Sequence, residues 1–254
     1  MKVTLIGTGG GIISENRTYP AYLINDDILI DCGEGSTQKL IKLGVIDKIR
    51  VICFSHLHND HFMGIFSLLW YYWIKGRSKP IKVIGPPTMK STIEQILELA
   101  NTPRDMGAFE LNFLELENSN DIQEMKIEDN YLIKAVKVEH GFPAYAYSVE
   151  CEGLKVTYSG DTRPNGRIEK LAQSSDLFIC EATFPDKFEK IAHKYHHCTP
   201  SDAAKIAKTS HSEKLILVHI SPIFTDFIKE MKKSAEKIFQ KDVIIGKDLE
   251  ILKF

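Results

Sequence analysis

Short apolar, β-branched runs recur early in the chain: VTLIG at 3–7, AYLIN at 21–25, DILID at 27–31 and VICFS at 51–55, broken by Gly, Asn and Asp. Runs of about four to eight such residues between turn formers predict strands. Between them, Leu40 and Ile41 sit at helical spacing and Gly44 follows as a stop, which predicts a helix over 37–45. A longer helix is expected from Asp60 through Ile74, ending at Gly76. A strand at 81–85 and a helix within 88–99 precede a ladder of strands at 111–116, 131–140, 144–151 and 154–161. Glu152-Gly153 marks the last pair as a hairpin. Strands then alternate with helices: 176–182, 200–210 (helix), 214–220, a helix within 225–239, 243–246 and a final strand at 249–253. Both halves run from strands to strand-helix units, so the expected class is α/β, a four-layer αββα sandwich of two mixed sheets.

Composition narrows the class. With 254 residues, 43% hydrophobic and 26% charged, the chain suits one globular domain over 1–254. The net charge of -2 excludes a wholly basic nucleic-acid-binding surface, so a polyanionic substrate would have to be attracted by a local patch or by metal ions. The five cysteines form no C-x-x-C pair, which argues against a disulfide framework or a thiolate zinc knuckle. No apolar stretch approaches about 18 residues, and the N-terminal run reaches glycine before a signal core forms. The expectation is a cytoplasmic protein with no membrane partner.

The segment Ser55-His56-Leu57-His58-Asn59-Asp60-His61-Phe62-Met63-Gly64 follows one apolar strand and precedes an apolar helix. In a loop leaving a strand, His56 and His58 point the same way, while Asp60 and His61 turn toward a second point at the helix start. Imidazole favours borderline metals such as Zn, Fe and Ni, and carboxylate completes or bridges their shells. Two neighbouring ions suit this spacing better than one. A chance cluster in a solvated loop is the bland alternative, and it fits H-x-H-x-D-H after a buried strand poorly. His140, Asp161 and His219 are further ligating types, each where an apolar run stops. Glu181 and His197 could form a proton-donating pair, since a carboxylate bonded to an imidazole raises its pKa and orients its other nitrogen. A backbone-capping Glu and a solvated His is the alternative, with His196 the rival donor.

This order of ligands resembles the metallo-β-lactamase superfamily, and most closely its ribonuclease Z branch. The resemblance rests on G-T-G-G-G at 7–11, Arg17, I-D-C-G-E-G at 30–35, Ser55 to Gly64, S-G-D-T at 159–162, C-E-A-T-F at 180–184, H-C-T at 197–199 and then A-A-K-I-A. Cys198 stands where that branch has Ser, and Ser36 looks inserted before Thr37-Gln38. By this resemblance His56, His58 and His140 would hold one divalent ion, Asp60, His61 and His219 a second, and Asp161 would bridge them. The ions implied are Zn, with Mn or Fe as alternatives. Asp60, Glu181 and His197 would be catalytic, with Asp60 orienting the attacking hydroxide and His197 protonating the leaving oxygen. The implied activity is a dinuclear metal-dependent phosphodiesterase acting on RNA, an endoribonuclease trimming the 3′ side of precursor tRNA. The branch carries a long Gly/Pro-rich arm between the positions of His140 and Asp161, and here only twenty residues separate them. The alternative is therefore an arm-less hydrolase of small phosphodiesters such as cyclic nucleotides, or of another ester. A metal-stabilised binding module is a third class, which the intact ligand set disfavours.

Three motifs remain. Ile12 stands where a dinucleotide fingerprint needs its third glycine, so Gly7 to Gly11 are expected to provide a tight turn and close backbone approach near the metal pocket. Trp70-Tyr71-Tyr72-Trp73 would cover every face of a helix, so part is core and part a subunit interface or pocket wall; a homodimer is expected. Lys187, Lys190, His193 and Lys194 read as a basic solvated loop rather than a phosphate clamp.

Overall fold

Both faces of the central strands of each sheet are covered, which is why those strands read as near-continuous apolar runs rather than strict alternation. The structure, a computed structural model, describes residues 1–103, 109–128 and 131–254. In the first sheet lie β1 (Lys2–Gly7), β2 (Ala21–Ile24), β3 (Ile28–Ile30), β4 (Val51–Cys53), β5 (Ile81–Gly85), β6 (Leu111–Glu115) and the C-terminal β14 (Glu250–Lys253). Their order is β14-β1-β2-β3-β4-β5-β6, antiparallel from β14 to β3 and parallel from β3 to β6. The second sheet repeats that plan with β13 (Val243–Ile245), β12 (Leu215–Val218), β11 (Leu177–Glu181), β10 (Leu154–Tyr158), β9 (Tyr145–Cys151), β8 (Tyr131–Lys137) and β7 (Gln123–Ile127), in that order. Here β7 to β10 are antiparallel, and β10 to β13 parallel.

Inward residues of both sheets, among them Leu5, Tyr22, Ile30, Ile133, Tyr147, Val156, Ile179 and Val218, share one buried core. Outward residues Leu23, Leu29, Ile52 and Val83 pack beneath the first half's helices, α1 (Ser36–Lys42), α3 (Gly64–Ile74) and α4 (Met89–Leu99). Phe178, Leu215 and Leu217 do the same beneath α5 (Gly166–Leu171), α7 (Pro200–Thr209) and α8 (Ile228–Phe239). The four-layer αββα sandwich is therefore the observed fold. Gly44 ends α1 as expected: at φ 66° its N–H bonds Ile41 O, and Val45 N–H bonds Leu40 O, a Schellman closure. Glu152 and Gly153, at φ 52° and 78°, make the expected β9–β10 hairpin turn.

Several boundaries differ from the periodicity. The helix expected over 60–74 is two, α2 (Asn59–Phe62) and α3, because the Cys32–Gly33 backbone inserts at their junction. Cys32 N–H bonds His61 O and Gly64 N–H bonds Cys32 O, both at 2.8 Å, and a Cβ on Gly64 would collide with the Cys32 and Gly33 carbonyls. Among the described residues, one strand and two α-helices escaped the sequence pattern. The edge strand β7 is half exposed. In α5, Asn165 Oδ1 accepts from Arg167 and Ile168 N–H, and the loop read at 187–194 contains α6 (Glu189–Lys194). Such short or edge elements carry too few buried residues for periodicity to register. Within the aromatic run, Tyr72 and Trp73 are core whereas Trp70 is 47% exposed.

Candidate metal centre

The parallel strands of both sheets end on the same rim, where open α/β architectures place their ligand sites. Strands β4, β8, β10 and β12 stop at Cys53, Lys137, Tyr158 and Val218, so His56, His140, Asp161 and His219 lie in the loops just beyond. There the chain brings the seven expected ligating residues together. His58 Nδ1 lies 3.0 Å from His56 Nε2 and 3.2 Å from His140 Nε2. Two tetrahedral ligands with metal bonds of about 2.0–2.1 Å stand roughly 3.3 Å apart, so these spacings fit one ion. Beside them, His219 Nε2 is 3.2 Å from His61 Nε2 and 3.3 Å from Asp60 Oδ2. Asp161 Oδ2 stands between the groups, 3.9 Å from His56, 3.4 Å from His61 and 3.3 Å from His219.

The electrostatics fit cations. Burial lowers the pKa of His56, His58 and His140, keeping the imidazoles neutral with lone pairs available. Burial opposes ionisation of Asp60 and Asp161, yet the adjacent His61 and His219 hold both carboxyls below the usual range. Asp161 Oδ1 is buried without a hydrogen-bond partner among the described residues. An acceptor left so costs about 1–3 kcal/mol unless something satisfies it, and a bound cation would.

The beta-lactamase superfamily domain profile matches residues 26–220. The chain belongs to the beta-lactamase superfamily. It is 30% identical over 315 aligned residues to ribonuclease Z of Clostridium acetobutylicum, covering 99% of this chain and 97% of that one. To ribonuclease Z of Methanosarcina acetivorans it is 27% identical over 307 residues, covering 98% and 96%. These alignments are far longer than 254 residues, so the relatives carry dozens of residues that this chain lacks. Among solved structures it resembles the short form of human tRNase Z, with TM-score 0.84, 25% identity and coverage of 100% and 99%. The superfamily fold implies divalent metal binding, and the clustered His and Asp side chains meet its ligand demands.

In this superfamily member four of the clustered rings, His56, His61, His140 and His219, have a partner that fixes the tautomer. His61 Nδ1 donates to Asp31 Oδ2 at 2.8 Å. Asp31, at φ 57° and fully buried, also accepts from Ser55 N–H and Oγ–H at 2.7 and 2.8 Å. Ser55 Oγ lies 3.0 Å from His56 Nδ1, and the His196 carbonyl 3.4 Å from His140 Nδ1. His219 Nδ1 meets Thr183 Oγ1 at 2.8 Å, and that hydroxyl donates to Glu181 Oε2 at 2.7 Å. Gly10 packs so closely on the His219 ring that a Cβ would overlap it, and Gly11 N–H donates to Asp60 Oδ2 at 3.0 Å. The glycine-rich turn thus approaches the site as expected. Asp31, Ser55 and Thr183 had been legible only as letters of motifs; a carboxylate directly after an apolar strand was the available signal for Asp31.

Glu181 Oε1 lies 3.0 Å from His197 Nδ1. Burial disfavours the His197 imidazolium, but the Glu181 carboxylate outweighs it and raises the pKa to about 9. His196 instead contributes its carbonyl, and its buried Nδ1 has no partner among the described residues. Of the basic residues read before it, His193 is tied to Asp202 at 2.8 Å, Lys187 Nζ lies 3.5 Å over the Phe227 ring, and Lys194 faces the cleft.

Replacing Asp31 with Asn keeps its shape but removes the charge-assisted acceptor for His61 Nδ1–H. Asp31→Asn should weaken divalent-metal affinity by about 10–100-fold, the usual effect of losing an outer-shell partner. Competition against a chromophoric chelator measures this, and wild-type affinity would show that Asp31 does not set the His61 tautomer.

Proposed function

We propose that the chain is a dinuclear metal-dependent phosphodiesterase, similar to ribonuclease Z, working as a single hydrolase domain. The observation carrying this reading is the convergence of two three-ligand groups on Asp161 Oδ2 beside an imidazole held by a buried carboxylate. His56, His58 and His140 would hold one ion, Asp60, His61 and His219 the other, with Asp161 shared. Imidazole-rich sets with carboxylate favour Zn, with Mn or Fe as alternatives. Two such ions, when bound, would supply an activated water and neutralise charge on the phosphoryl group.

The side chains do the rest. Asp60, anchored by Gly11 N–H, would orient the attacking water. His197, bonded through Nδ1 to Glu181, keeps Nε2 free to give its proton to the departing oxygen. Glu181 serves a second ring as well, since its other oxygen reaches His219 through Thr183.

The names of the relatives support RNA as substrate, through endonucleolytic trimming on the 3′ side of precursor tRNA. The two-residue turn between β9 and β10 favours a second reading, an arm-less hydrolase of small phosphodiesters such as cyclic nucleotides, or of another ester. No helix among the described residues is long and apolar enough to cross a membrane. Trp70 is exposed beside Met63 and Phe66 along a shared groove, which supports a homodimer through α3.

Three measurements follow. Elemental analysis after reloading should find two transition-metal ions per chain; well under one would end the two-ion reading. Light scattering should give the dimer mass for wild type and the monomer mass for Trp70→Lys; a monomeric wild type contradicts the interface. His197→Ala should slow hydrolysis of an alkyl or RNA phosphodiester by about 10² to 10⁴-fold, the usual worth of general acid catalysis. A nitrophenyl ester, whose leaving group needs no proton, should be spared. Equal losses on both substrates would move His197 to a positioning role.

A further inference from the structure

The ligand cluster lies in a cleft of about 590 Å³ whose outer walls are apolar. Ile12 of the glycine-rich loop, Tyr195 after α6 and Ile223 after β12 reach it from three separate loops. These side chains are 49, 58 and 67% exposed. Large apolar groups left in water around one opening, over a few convergent polar groups, mark a ligand surface. Behind them runs an aromatic ladder: Phe184 is 5.9 Å from the His197 ring and 5.5 Å from Phe224, which is 5.4 Å from Phe188.

Positive charge is scarce at the same place. Lys194 is the one Lys or Arg among the described residues lining the cleft. Arg163 and Arg167 are nearby in sequence to Asp161, but both pair with Glu139. A groove that tracks a polynucleotide backbone needs cations along it, roughly one per phosphate neutralised. This cleft offers charge for one phosphate, at the ligand cluster, and apolar surface for whatever is attached to it.

Building on the phosphodiesterase reading, we infer that the cleft takes a compact phosphodiester carrying one nucleobase, whose flat face lies on Tyr195 between the Ile12 and Ile223 edges. Stacking on an aromatic side chain accepts any base, so the grip discriminates nucleotides from base-free diesters more than one base from another. Tyr195 is then a specificity residue two positions from the proton donor His197, and the base and the leaving oxygen are read by one loop.

The test uses the metal-loaded full chain and two ligands with the same phosphate, adenosine 5′-monophosphate and ribose 5-phosphate. Calorimetry should show the nucleotide binding about tenfold tighter or more, the scale of one base–aromatic stack. Tyr195→Ala should collapse that ratio toward one while Tyr195→Phe keeps it; the position is exposed, so folding is not in question. Equal affinities in the wild type, or an unchanged ratio in Tyr195→Ala, would overturn the inference. In turnover, adenosine 2′,3′-cyclic phosphate should be hydrolysed with higher kcat/KM than both ethylene phosphate, which has no base, and a precursor tRNA. Precursor tRNA as the better substrate would also overturn it. Should no diester be hydrolysed while the nucleotide still binds tighter than ribose 5-phosphate, the base contact stands and the phosphodiesterase reading fails.

Discussion

Three carboxylates crowd one buried imidazole: Asp31, Asp60 and Asp161 place oxygens 2.8, 3.6 and 3.4 Å from His61 nitrogens. Taking each charge out of water costs several kcal/mol unless an opposite charge compensates it closely. The site is therefore a sink for positive charge, and the surrounding loops are shaped to keep it one. Cys32 N–H captures the His61 carbonyl, Gly64 gives the Cys32 carbonyl a donor, and the helix breaks so that His61 faces inward. Gly10 leaves room for the His219 ring, and Gly11 gives Asp60 a donor.

Neither half of the sandwich completes either of the two candidate ligand groups by itself. The first sheet's rim brings His56, His58, Asp60 and His61, and the second brings His140, Asp161 and His219. The shared core, which includes Tyr22, Tyr147 and Tyr158, fixes the distance between the two rims. Tyr147 ties them directly, donating its hydroxyl to the Phe54 carbonyl at 2.9 Å, two residues before His56. Stability of the core and geometry of the centre are thus one requirement: a shift between the sheets would separate His58 from His140. Glu181 extends the coupling, holding His197 with one oxygen and Thr183, hence His219, with the other.

Where candidate ligating residues lay close in sequence, the cluster was legible before the fold. His56, His58, Asp60 and His61 fall within six positions, and a loop leaving a strand has few ways to arrange them. The central strands too were readable, because burial on both faces makes their runs apolar throughout. Their ends were less so: β8 and β10 were expected to reach His140 and Asp161 but stop at Lys137 and Tyr158. The residues beyond those strand ends are where the backbone turns and ligating side chains converge. Elements with little buried surface, α5, α6 and β7, left almost no periodic trace.

The sequence by itself determined the class of fold and the types of candidate ligand, because strand periodicity and residue chemistry are local properties of the chain. Tertiary structure alone decided which residues work together. Asp31 and His61 are thirty positions apart, Thr183 and His219 thirty-six, and Tyr195, Ile12 and Ile223 come from three distant loops. Whether a buried polar side chain orients a ring or an exposed aromatic walls a cleft depends on distance in space. That distance is set by how two sheets stack and where their strands end, and no spacing along the chain encodes it directly.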